Sequence, residues 1–422
     1  MSAVKKSEGV GWKIDHECPQ CGGPVTLEET DRLLSCSYCR VRLYLLSQDY
    51  FRYYFPASGD FSKETLFLPY WRFKGAVYFC QASGISYTIN DATSLASPHA
   101  FFPPSLGVRP QALKLKFLSS KVEARLFRRE VPLNSVVEHI ERRFALTERS
   151  RRSGPIHFEA FVGESISLIY APLFIRGDRF HDAVLGKPVT SIPKDFVDDL
   201  LTSDQEAIGQ VRFVSTLCPQ CGWDLQGERD SVVLFCGNCE SAWEPSEQGL
   251  KQVDVGTIGN EEGNVSYLPF WRMEAAVEGL LIESHADLLR IANAPVRVRK
   301  ECCQEMPYFW APAFRVPPAL FLRATQALTL SEPQREVEKT LPKAFLNPVN
   351  FSSSDAAESV KIILANTVAD KTGIFPRLKE IDIQVKKHVL IFLPFVLIGN
   401  EFVQTQTRIC IHKNVLQLGR NL

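Results

Sequence analysis

CPQC, residues 18–21, is followed after fourteen residues by CSYC, residues 36–39. The arrangement returns 200 residues later with the same spacing, as CPQC at residues 218–221 and CGNC at residues 236–239. A two-residue spacer lets both sulfurs of a Cys pair point at one position, and two such pairs complete a tetrahedral thiolate site with Zn–S bonds of about 2.3 Å. The sequence therefore predicts two structural zinc ions (Zn2+), with the ligands Cys18, Cys21, Cys36 and Cys39 in one site and Cys218, Cys221, Cys236 and Cys239 in the other.

Each four-cysteine set is predicted to form a zinc ribbon, which is a pair of metal-binding knuckles on a small β-hairpin unit. Apolar stretches at residues 32–35 and 231–235 precede the second knuckles and favour strands. Gly22 and Gly222 follow the first knuckles, where a tight turn favours positive φ. The alternatives are disulfide pairs, a redox dithiol, or iron in a rubredoxin-like site. Four thiolates saturate a tetrahedral ion, so the metal is predicted to be structural and not a Lewis acid.

The repetition extends beyond the cysteines. LPYWRFKGAV at residues 68–77 and LPFWRMEAAV at residues 268–277 are identical at six of ten positions, again with an offset of 200. The ribbon blocks 18–39 and 218–239 share nine of twenty-two positions. An offset that holds through both blocks indicates internal duplication.

The predicted fold class is α+β and β-rich, with two tandem repeats that each contain a four-cysteine zinc ribbon, an antiparallel β-rich domain and one or two helices. Apolar runs at residues 168–180 and 390–402 turn at Gly-Asp or Gly-Asn, which indicates hairpins. Apolar periodicity predicts helices at residues 133–152 and 355–371, and an acidic helix is predicted at residues 193–208. The predicted units are zinc ribbon 1 at 1–47, β-rich domain A at 48–190, a linker helix at 191–212, zinc ribbon 2 at 213–247 and β-rich domain B at 248–422.

The net charge is zero, because 48 Lys and Arg residues balance 48 Asp and Glu residues, and this argues against nucleic-acid binding by bulk charge. The balance hides a net charge of +7 over residues 109–152 and of −7 over residues 224–262. The basic segment is a candidate for binding nucleic-acid phosphates or an anionic membrane surface. The alternatives are a solvated helix face and docking onto an acidic surface, including the protein's own second half. Its candidate residues are Arg128, Arg129, Arg142 and Arg143.

The repeated Trp-Arg pair is a second candidate binding feature, formed by Trp71 and Arg72 and by Trp271 and Arg272. These side chains are candidates for a ligand clamp. The interpretation that we favour is structural, with the ring buried and the arginine covering it or pairing with a carboxylate. The aromatic stretch at residues 50–55 is likewise predicted to join the ribbon to its β domain, with base stacking as the alternative.

Composition and motifs restrict the class of protein. An apolar fraction of 45% is ordinary for a folded chain, and paired cysteines without a predicted targeting segment favour the reducing cytoplasm. The longest apolar run, residues 389–399, is shorter than the roughly 20 residues of a membrane span, so it is predicted to be buried strand and no transmembrane segment is expected. The common phosphate-loop, dinucleotide, zinc-protease and serine-hydrolase motifs do not occur in the sequence, which favours a non-catalytic protein.

The ribbon followed by an LPxW strand resembles bacterial proteins described as transcription factor B-type zinc ribbon-containing, which also have a Pro-Phe-Trp strand downstream of the ribbon. The resemblance covers the two ribbon blocks and the two LPxWR blocks, about 64 of the 422 residues. It implies a non-catalytic cytoplasmic protein that works with membrane-stress or assembly machinery. This chain departs from that pattern by carrying the unit twice.

We therefore expect a duplicated zinc-binding interaction or assembly module that binds a protein partner. The two halves are expected to pack with approximate pseudo-twofold symmetry and to form a groove. The alternative is a nucleic-acid-binding protein that uses the ribbons and the basic segment at 109–152. An enzyme would require a deep pocket that gathers polar residues from both halves, for example around the two Trp-Arg pairs.

Overall fold

The computed structural model of the protein describes residues 12–47, 49–58, 65–107, 114–118, 125–132, 155–194, 196, 200–202, 211–259, 265–295, 306–331, 337–342 and 347–418. Within these ranges most of the regular structure is β-sheet, and the helices are concentrated in the second half. This confirms the predicted β-rich α+β class.

The first four-cysteine unit consists of two short hairpins. Strand β1 (Lys13–Glu17) pairs antiparallel with β2 (Pro24–Glu28), and β3 (Leu33–Ser35) pairs antiparallel with β4 (Arg42–Leu46). The other edge of β4 pairs with β14 (Arg212–Ser215), the strand that leads into the second four-cysteine unit. The β3–β4 hairpin of the first unit is therefore extended to a three-stranded sheet by a strand from the second half of the chain.

A nine-stranded sheet, called sheet A here, follows the first unit. Its central strand β10 pairs antiparallel with β6 and β11 and parallel with β5. Strand β7 pairs with β6, and β8 pairs with β5. The strands of sheet A are β5 (Phe51–Tyr54), β6 (Leu66–Gln81), β7 (Gly84–Leu95), β8 (Lys116–Phe117), β9 (Arg125–Phe127), β10 (Ile156–Arg176), β11 (Arg179–Asp182), β12 (Pro188–Ser191) and β13 (Leu200–Thr202).

The second half repeats the order of a small four-cysteine unit and a larger sheet. The second unit is a four-stranded sheet of β15 (Leu225–Gln226), β16 (Leu234–Cys236), β17 (Ala242–Ser246) and β18 (Gly249–Val253). Sheet B has seven strands, β19 (Val255–Ile258), β20 (Val265–Glu278), β21 (Tyr308–Pro312), β22 (Val337–Glu338), β23 (Asp382–Ile398), β24 (Glu401–Val403) and β25 (Cys410–His412). The described helices are α1 (His285–Ile291), α2 (Pro318–Ser331), α3 (Ser353–Thr367), α4 (Lys371–Ile374) and α5 (Lys413–Leu418), with a 3-10 turn at Phe375–Arg377.

Sheets A and B pair their central strands in the same register. Leu168 of β10 lies opposite Trp71 of β6, and Leu390 of β23 lies opposite Trp271 of β20. Both central strands also accept a parallel strand, β5 on β10 and β19 on β23. Both then turn back at a glycine with left-handed φ, 65° at Gly177 and 64° at Gly399. In both halves the LPxWR strand thus pairs antiparallel with a central strand that also accepts a parallel strand, whereas the parallel pairing of β6 with β9 has no counterpart on the described β20.

Helix α3 lies between the two sheets and is apolar on more than one face. Its Val360 and Ile363 belong to one buried cluster that includes Tyr78 and Val162 from sheet A and Trp271 from sheet B. The helix begins at a capping box in which Ser352 and Asp355 satisfy each other's backbone N–H groups. A helix that buries apolar side chains on two sides belongs to a core, so the two halves share one.

Several sequence expectations are settled within the described residues. The apolar run at 389–399 lies in strand β23 and the hairpin turn after it, and residues 390–395 are buried as predicted, whereas Ile398 is exposed. The helix predicted at 355–371 is α3, which begins and ends slightly earlier. The predicted linker helix at 191–212 is wrong at Leu200–Thr202, because the backbone of these residues pairs with β9 at the edge of sheet A. The helix predicted at 133–152 lies outside the described residues.

Candidate metal centres and their supports

The eight paired cysteines form two compact groups. The sulfur atoms of Cys18 and Cys39 are 3.7 Å apart and those of Cys21 and Cys36 are 3.6 Å apart. In the second group the corresponding distances are 3.6 Å and 3.4 Å. Within each group, all four sulfurs lie within 4.8 Å of one another. A tetrahedral ion with Zn–S bonds of about 2.3 Å requires sulfurs roughly 3.8 Å apart, whereas a disulfide requires about 2.05 Å. Both groups could hold a metal ion, and neither has disulfide geometry.

The backbone of each knuckle supports this convergence of the sulfurs. In the first knuckles, the N–H groups of Gly22 and Gly222 donate to the carbonyls of Cys18 and Cys218, each over 2.8 Å. Both glycines have a φ of 73°, which few other residues adopt without cost. The second knuckles turn at Arg40 and Glu240, which also have positive φ, 61° and 55°. The four turns share a left-handed residue directly after the second cysteine.

Hydrogen bonds favour the thiolate form of at least one ligand in each group. The backbone N–H groups of Cys39 and Tyr38 point at the Cys36 sulfur and lower the pKa of Cys36 to about 6. Burial opposes ionisation of Cys218, but N–H groups of its own knuckle and the Ser241 hydroxyl outweigh it and lower the pKa of Cys218 to about 6. Thiolates are the form that binds metal.

Ser241 orients ligands in the second group. Its oxygen accepts a hydrogen bond of 2.7 Å from the Trp243 indole N–H and lies 3.0 Å from the Cys239 sulfur and 3.6 Å from the Cys218 sulfur. Once the cysteines are thiolates, which have no proton to donate, the Ser241 hydroxyl can donate its proton to one of these sulfurs. Partners of this kind fix ligand orientation in metal sites. Val41 stands at the equivalent position of the first group, so sequence comparison of the two ribbons gave no signal for this support.

The two four-cysteine units pack directly against each other. Leu33 and Tyr44 of the first unit share a buried cluster with Leu225, Leu234 and Trp243 of the second, and the ligands Cys218 and Cys236 are part of it. The N–H groups of Arg32 and Leu33 both donate to the Arg229 carbonyl, over 2.6 Å and 2.8 Å. Together with the β4–β14 pairing, these contacts join the two units through a shared apolar cluster and through backbone hydrogen bonds.

Each repeated tryptophan hydrogen-bonds the backbone of a segment that is distant in the sequence. Trp71 and Trp271 are fully buried, and their indole N–H groups donate to the carbonyls of Val131 and Phe351, over 3.0 Å and 2.9 Å. In both halves a matching chain of backbone hydrogen bonds leads to the same two residues, Val131 and Phe351, through their N–H groups. Ala96 N–H donates to Pro69 and Val131 N–H to Ala96, while Ala313 N–H donates to Pro269 and Phe351 N–H to Ala313. These bonds give the LPxW motif a structural role in both halves.

The two repeated arginines differ in their surroundings. Arg72 is buried. Its guanidinium donates two hydrogen bonds, of 2.8 Å and 2.9 Å, to the carboxylate of Asp91 and one of 2.5 Å to Glu29 of the first four-cysteine unit. It therefore clamps that unit to sheet A.

In the second half Arg229 stands at the position of Glu29 in the sequence repeat. Tyr308 takes the place of Asp91 by strand register, because Asp91 lies opposite Lys74 and Tyr308 lies opposite Glu274. The Arg272 guanidinium lies 3.7 Å from the Tyr308 ring centroid. A cavity of about 550 Å³ adjoins Arg272 between the second four-cysteine unit and sheet B.

The two acceptors of Arg72 are expected to contribute unequally to stability. Replacing Glu29, whose side chain is 9% exposed, by Gln should lower the free energy of unfolding by about 1–3 kcal/mol, because Arg72 stays buried with one carboxylate fewer. Replacing Asp91, which is 50% exposed, by Asn should cost less than about 1 kcal/mol. Urea unfolding of the zinc-loaded variants measures both, and a larger loss for Asp91→Asn would contradict this assignment.

Two of the four basic candidate residues lie within the described structure and two lie outside it. Arg142 and Arg143 lie in the undescribed range 133–154. The Arg129 guanidinium lies 5.6 Å from the Trp71 ring centroid and 5.8 Å from that of Tyr50, so it lies against these two buried rings. Arg128 is exposed. Of the four remaining cysteines, Cys80 is buried, Cys410 is half-buried, and Cys302 and Cys303 are undescribed.

Comparisons with known proteins identify no relative. No family model, no curated protein and no solved structure matches the chain. The resemblance to zinc-ribbon proteins therefore extends to the two four-cysteine groups and their knuckles, which are compatible with zinc-ribbon-like sites. Among the described residues, no helix combines the length and apolar character needed to cross a membrane.

Proposed function

We propose that the protein is a non-catalytic zinc-binding interaction or assembly module of the cytoplasm, built from two copies of one ribbon-and-sheet unit. The observation that carries this proposal is the convergence of four cysteine sulfurs in each of two groups, at spacings that fit a tetrahedral ion. Zinc fits a four-thiolate site of this kind and also the knuckle sequences. Bound zinc would cross-link the two knuckles of each ribbon, and the four thiolates would fill the coordination sphere of the ion.

The shared register of sheets A and B supports the duplication. Trp71 and Trp271 lie opposite Leu168 and Leu390, at the positions that the sequence repeat relates. The hydrogen-bond chains that end at Val131 and Phe351 are also the same. Two unrelated domains would have no reason to share a register, a Trp anchor and a central parallel strand.

A structural role for the metal supports the non-catalytic part of the proposal. Four thiolates leave no open coordination position for a substrate or water. Of the residues that were candidates for a ligand clamp, Trp71 and Trp271 are used in packing, and Arg72 joins the first unit to sheet A. The cytoplasmic location is supported by thiols that stand at metal-binding and not at disulfide distances.

Metal analysis of the purified full chain tests the proposal. We expect about two zinc ions per chain, with release by a strong chelator accompanied by loss of ordered structure in the ribbons. Iron in the same sites would give a coloured protein and would correct the metal identity while keeping the site. A chain that is folded and holds no metal at either site would overturn the proposal.

A further inference from the structure

Strand β7 extends beyond the part of the sheet that the two halves share. By strand register, residues 91–95 of β7 correspond to β21 of sheet B, which begins at Tyr308. In sheet B, Pro307 directly precedes β21 and has no N–H to donate to β20. In sheet A the pairing of β7 with β6 continues through residues 84–90. These residues form an extension that the described part of sheet B does not have.

The shared part of the strand is covered at its outer edge in both halves. In sheet A, the Leu95 N–H donates a hydrogen bond of 2.9 Å to the carbonyl of Pro104. In sheet B, the Trp310 N–H donates a hydrogen bond of 3.1 Å to the Thr329 hydroxyl of helix α2. The repeated unit therefore protects this edge with its own chain, but only over the residues that the two halves have in common.

The extension of β7 has an open outer edge. The Ala96 N–H donates to Pro69 of β6, whereas the Leu95 N–H donates away from β6. Alternate residues of a strand direct their backbone groups to opposite edges, and β7 pairs with β6 without a register shift. The residues whose N–H and C=O groups face away from β6 are therefore Ile85, Tyr87, Ile89 and Asp91. Within the described part of the chain, only β6 pairs with β7, and no backbone hydrogen bond reaches these four residues.

This open edge has none of the features by which proteins prevent strands of different molecules from pairing, namely Lys, Pro or a bulge. The stretch GISYTINDA at residues 84–92 contains no Lys, Arg or Pro, and its ladder with β6 is continuous. Tyr87 and Ile89, which point to the same face of the strand, are 40% and 50% exposed. By contrast β12, at the other end of sheet A, has only four residues and begins at Pro188.

We propose that the open edge of β7 pairs antiparallel with the same edge of a second copy of this chain, so that the two copies of sheet A form one continuous sheet. A row of outward N–H and C=O groups is complemented in full by another extended backbone. A twofold axis at Thr88 pairs all four outward-facing residues. Tyr87 then lies opposite Ile89 of the copy, and aromatic pairs with β-branched residues stabilise sheets.

Charge favours a second copy as the occupant of this edge. The only charged residue in the open stretch is Asp91, and Arg72 donates two hydrogen bonds to its carboxylate. In the proposed register Asp91 lies opposite Ile85 of the copy, so no like charges oppose each other. The chain has no net charge, so two copies have no net Coulomb repulsion at long range. Neither four-cysteine unit takes part in the pairing, which therefore goes beyond the proposed function.

The dimer is expected to be weak and concentration-dependent. Two short strand edges cover less than the roughly 1,200 Å² that stable interfaces bury. We therefore expect a dissociation constant on the order of 10 μM. Sedimentation velocity of the zinc-loaded full chain, at concentrations from about 1 μM to about 200 μM, measures it directly. A wild-type chain that remains monomeric throughout this range would overturn the proposal.

A matched pair of substitutions tests whether β7 forms the interface. Ile89→Lys places a charge on the open edge, opposite Tyr87 of the copy, and should weaken dimerisation at least about tenfold. Ile398→Lys is the same change at a 63% exposed position at the end of β23 in sheet B. It should leave the dissociation constant within about twofold of the wild-type value. Equal dissociation constants for the two variants would overturn the assignment of β7.

Amide hydrogen exchange with single-residue resolution tests the same pairing without a substitution. The amides of Tyr87 and Ile89 face the open edge, whereas those of Thr88 and Asn90 face β6. Between about 1 μM and about 200 μM chain, exchange at Tyr87 and Ile89 should slow roughly fivefold, which is the fall in the monomer fraction, and exchange at Thr88 and Asn90 should change much less. Unchanged exchange at Tyr87 and Ile89 in a sample that sediments as a dimer would overturn the proposal.

Discussion

Replacement of Cys36 by Ser is expected to lower the zinc content from about two ions per chain to one or fewer. Cys36 is buried, and its sulfur lies 3.6 Å from the Cys21 sulfur. The same sulfur accepts a hydrogen bond from the backbone N–H of Tyr38. Three thiolates hold zinc far less tightly than four, and folding of a ribbon is coupled to metal binding, so the first unit should unfold. Metal analysis of the purified variant, together with thermal unfolding, measures the effect.

The same substitution is expected to weaken the second site, although none of its ligands is changed. Leu33 and Tyr44 pack in the cluster that contains Cys218 and Cys236, and β14, which leads into Cys218, pairs with β4. Loss of order in the first unit removes these contacts. We expect the zinc that remains in Cys36→Ser to be released to a chelator at least about tenfold faster than zinc from the second site of the wild type.

Cys410→Ser is the control for the loss of a thiol. Cys410 is half-buried and belongs to neither four-cysteine group, so its replacement should leave two zinc ions per chain and unchanged release. An unchanged zinc content in Cys36→Ser would refute the ligand assignment. An intact second site in a variant whose first unit has unfolded would refute the coupling alone.

Replacement of Trp271 by Ala is expected to lower the free energy of unfolding by about 3–5 kcal/mol. The ring is fully buried in the cluster shared by α3 and both sheets, and its N–H satisfies the Phe351 carbonyl at the start of α3. The substitution therefore leaves a cavity and an unpaired buried carbonyl together. Trp271→Phe should cost less, about 1–3 kcal/mol, because it keeps most of the ring volume and loses the hydrogen bond.

Trp223→Ala provides a matched control, since it removes the same side chain from a 57% exposed position. It should change the free energy of unfolding by less than about 0.5 kcal/mol. Urea titrations of the three zinc-loaded variants compare the losses directly. If Trp271→Ala and Trp223→Ala proved equally stable, the role of the LPxW motif as an anchor of α3 would be wrong.

The local parts of both sites were predictable from the sequence. The spacing of the cysteines and the glycine after each first knuckle determine where the sulfurs point, because both act over a few residues. The apolar run near residue 390 likewise predicted β23, and the packing role proposed for Trp71 and Trp271 agrees with their burial. These features depend on residues that lie close together in the sequence, so a short stretch of sequence is enough to predict them.

The remaining features depend on residues distant in the chain. Nothing near Arg72 in sequence identifies Glu29 as its partner, and nothing near β4 identifies β14. The helix predicted in the linker failed at residues 200–202 because pairing with β9 overrides a weak local preference. Helix α2 was not predicted, because its apolar pattern does not distinguish a buried helix from a buried strand.

The position of α3 between the sheets has a consequence for synthesis on the ribosome. Tyr78 and Val162 of sheet A are covered by a helix that begins at residue 353. Strand β4 can form its full pairing only after β14, which begins at residue 212, has been synthesised. At about 5–20 residues per second, the amino-terminal half is therefore expected to emerge tens of seconds before the surfaces that cover it. The nascent chain would expose an apolar face and an unpaired strand edge for that interval, which makes it a natural client for a chaperone at the exit tunnel.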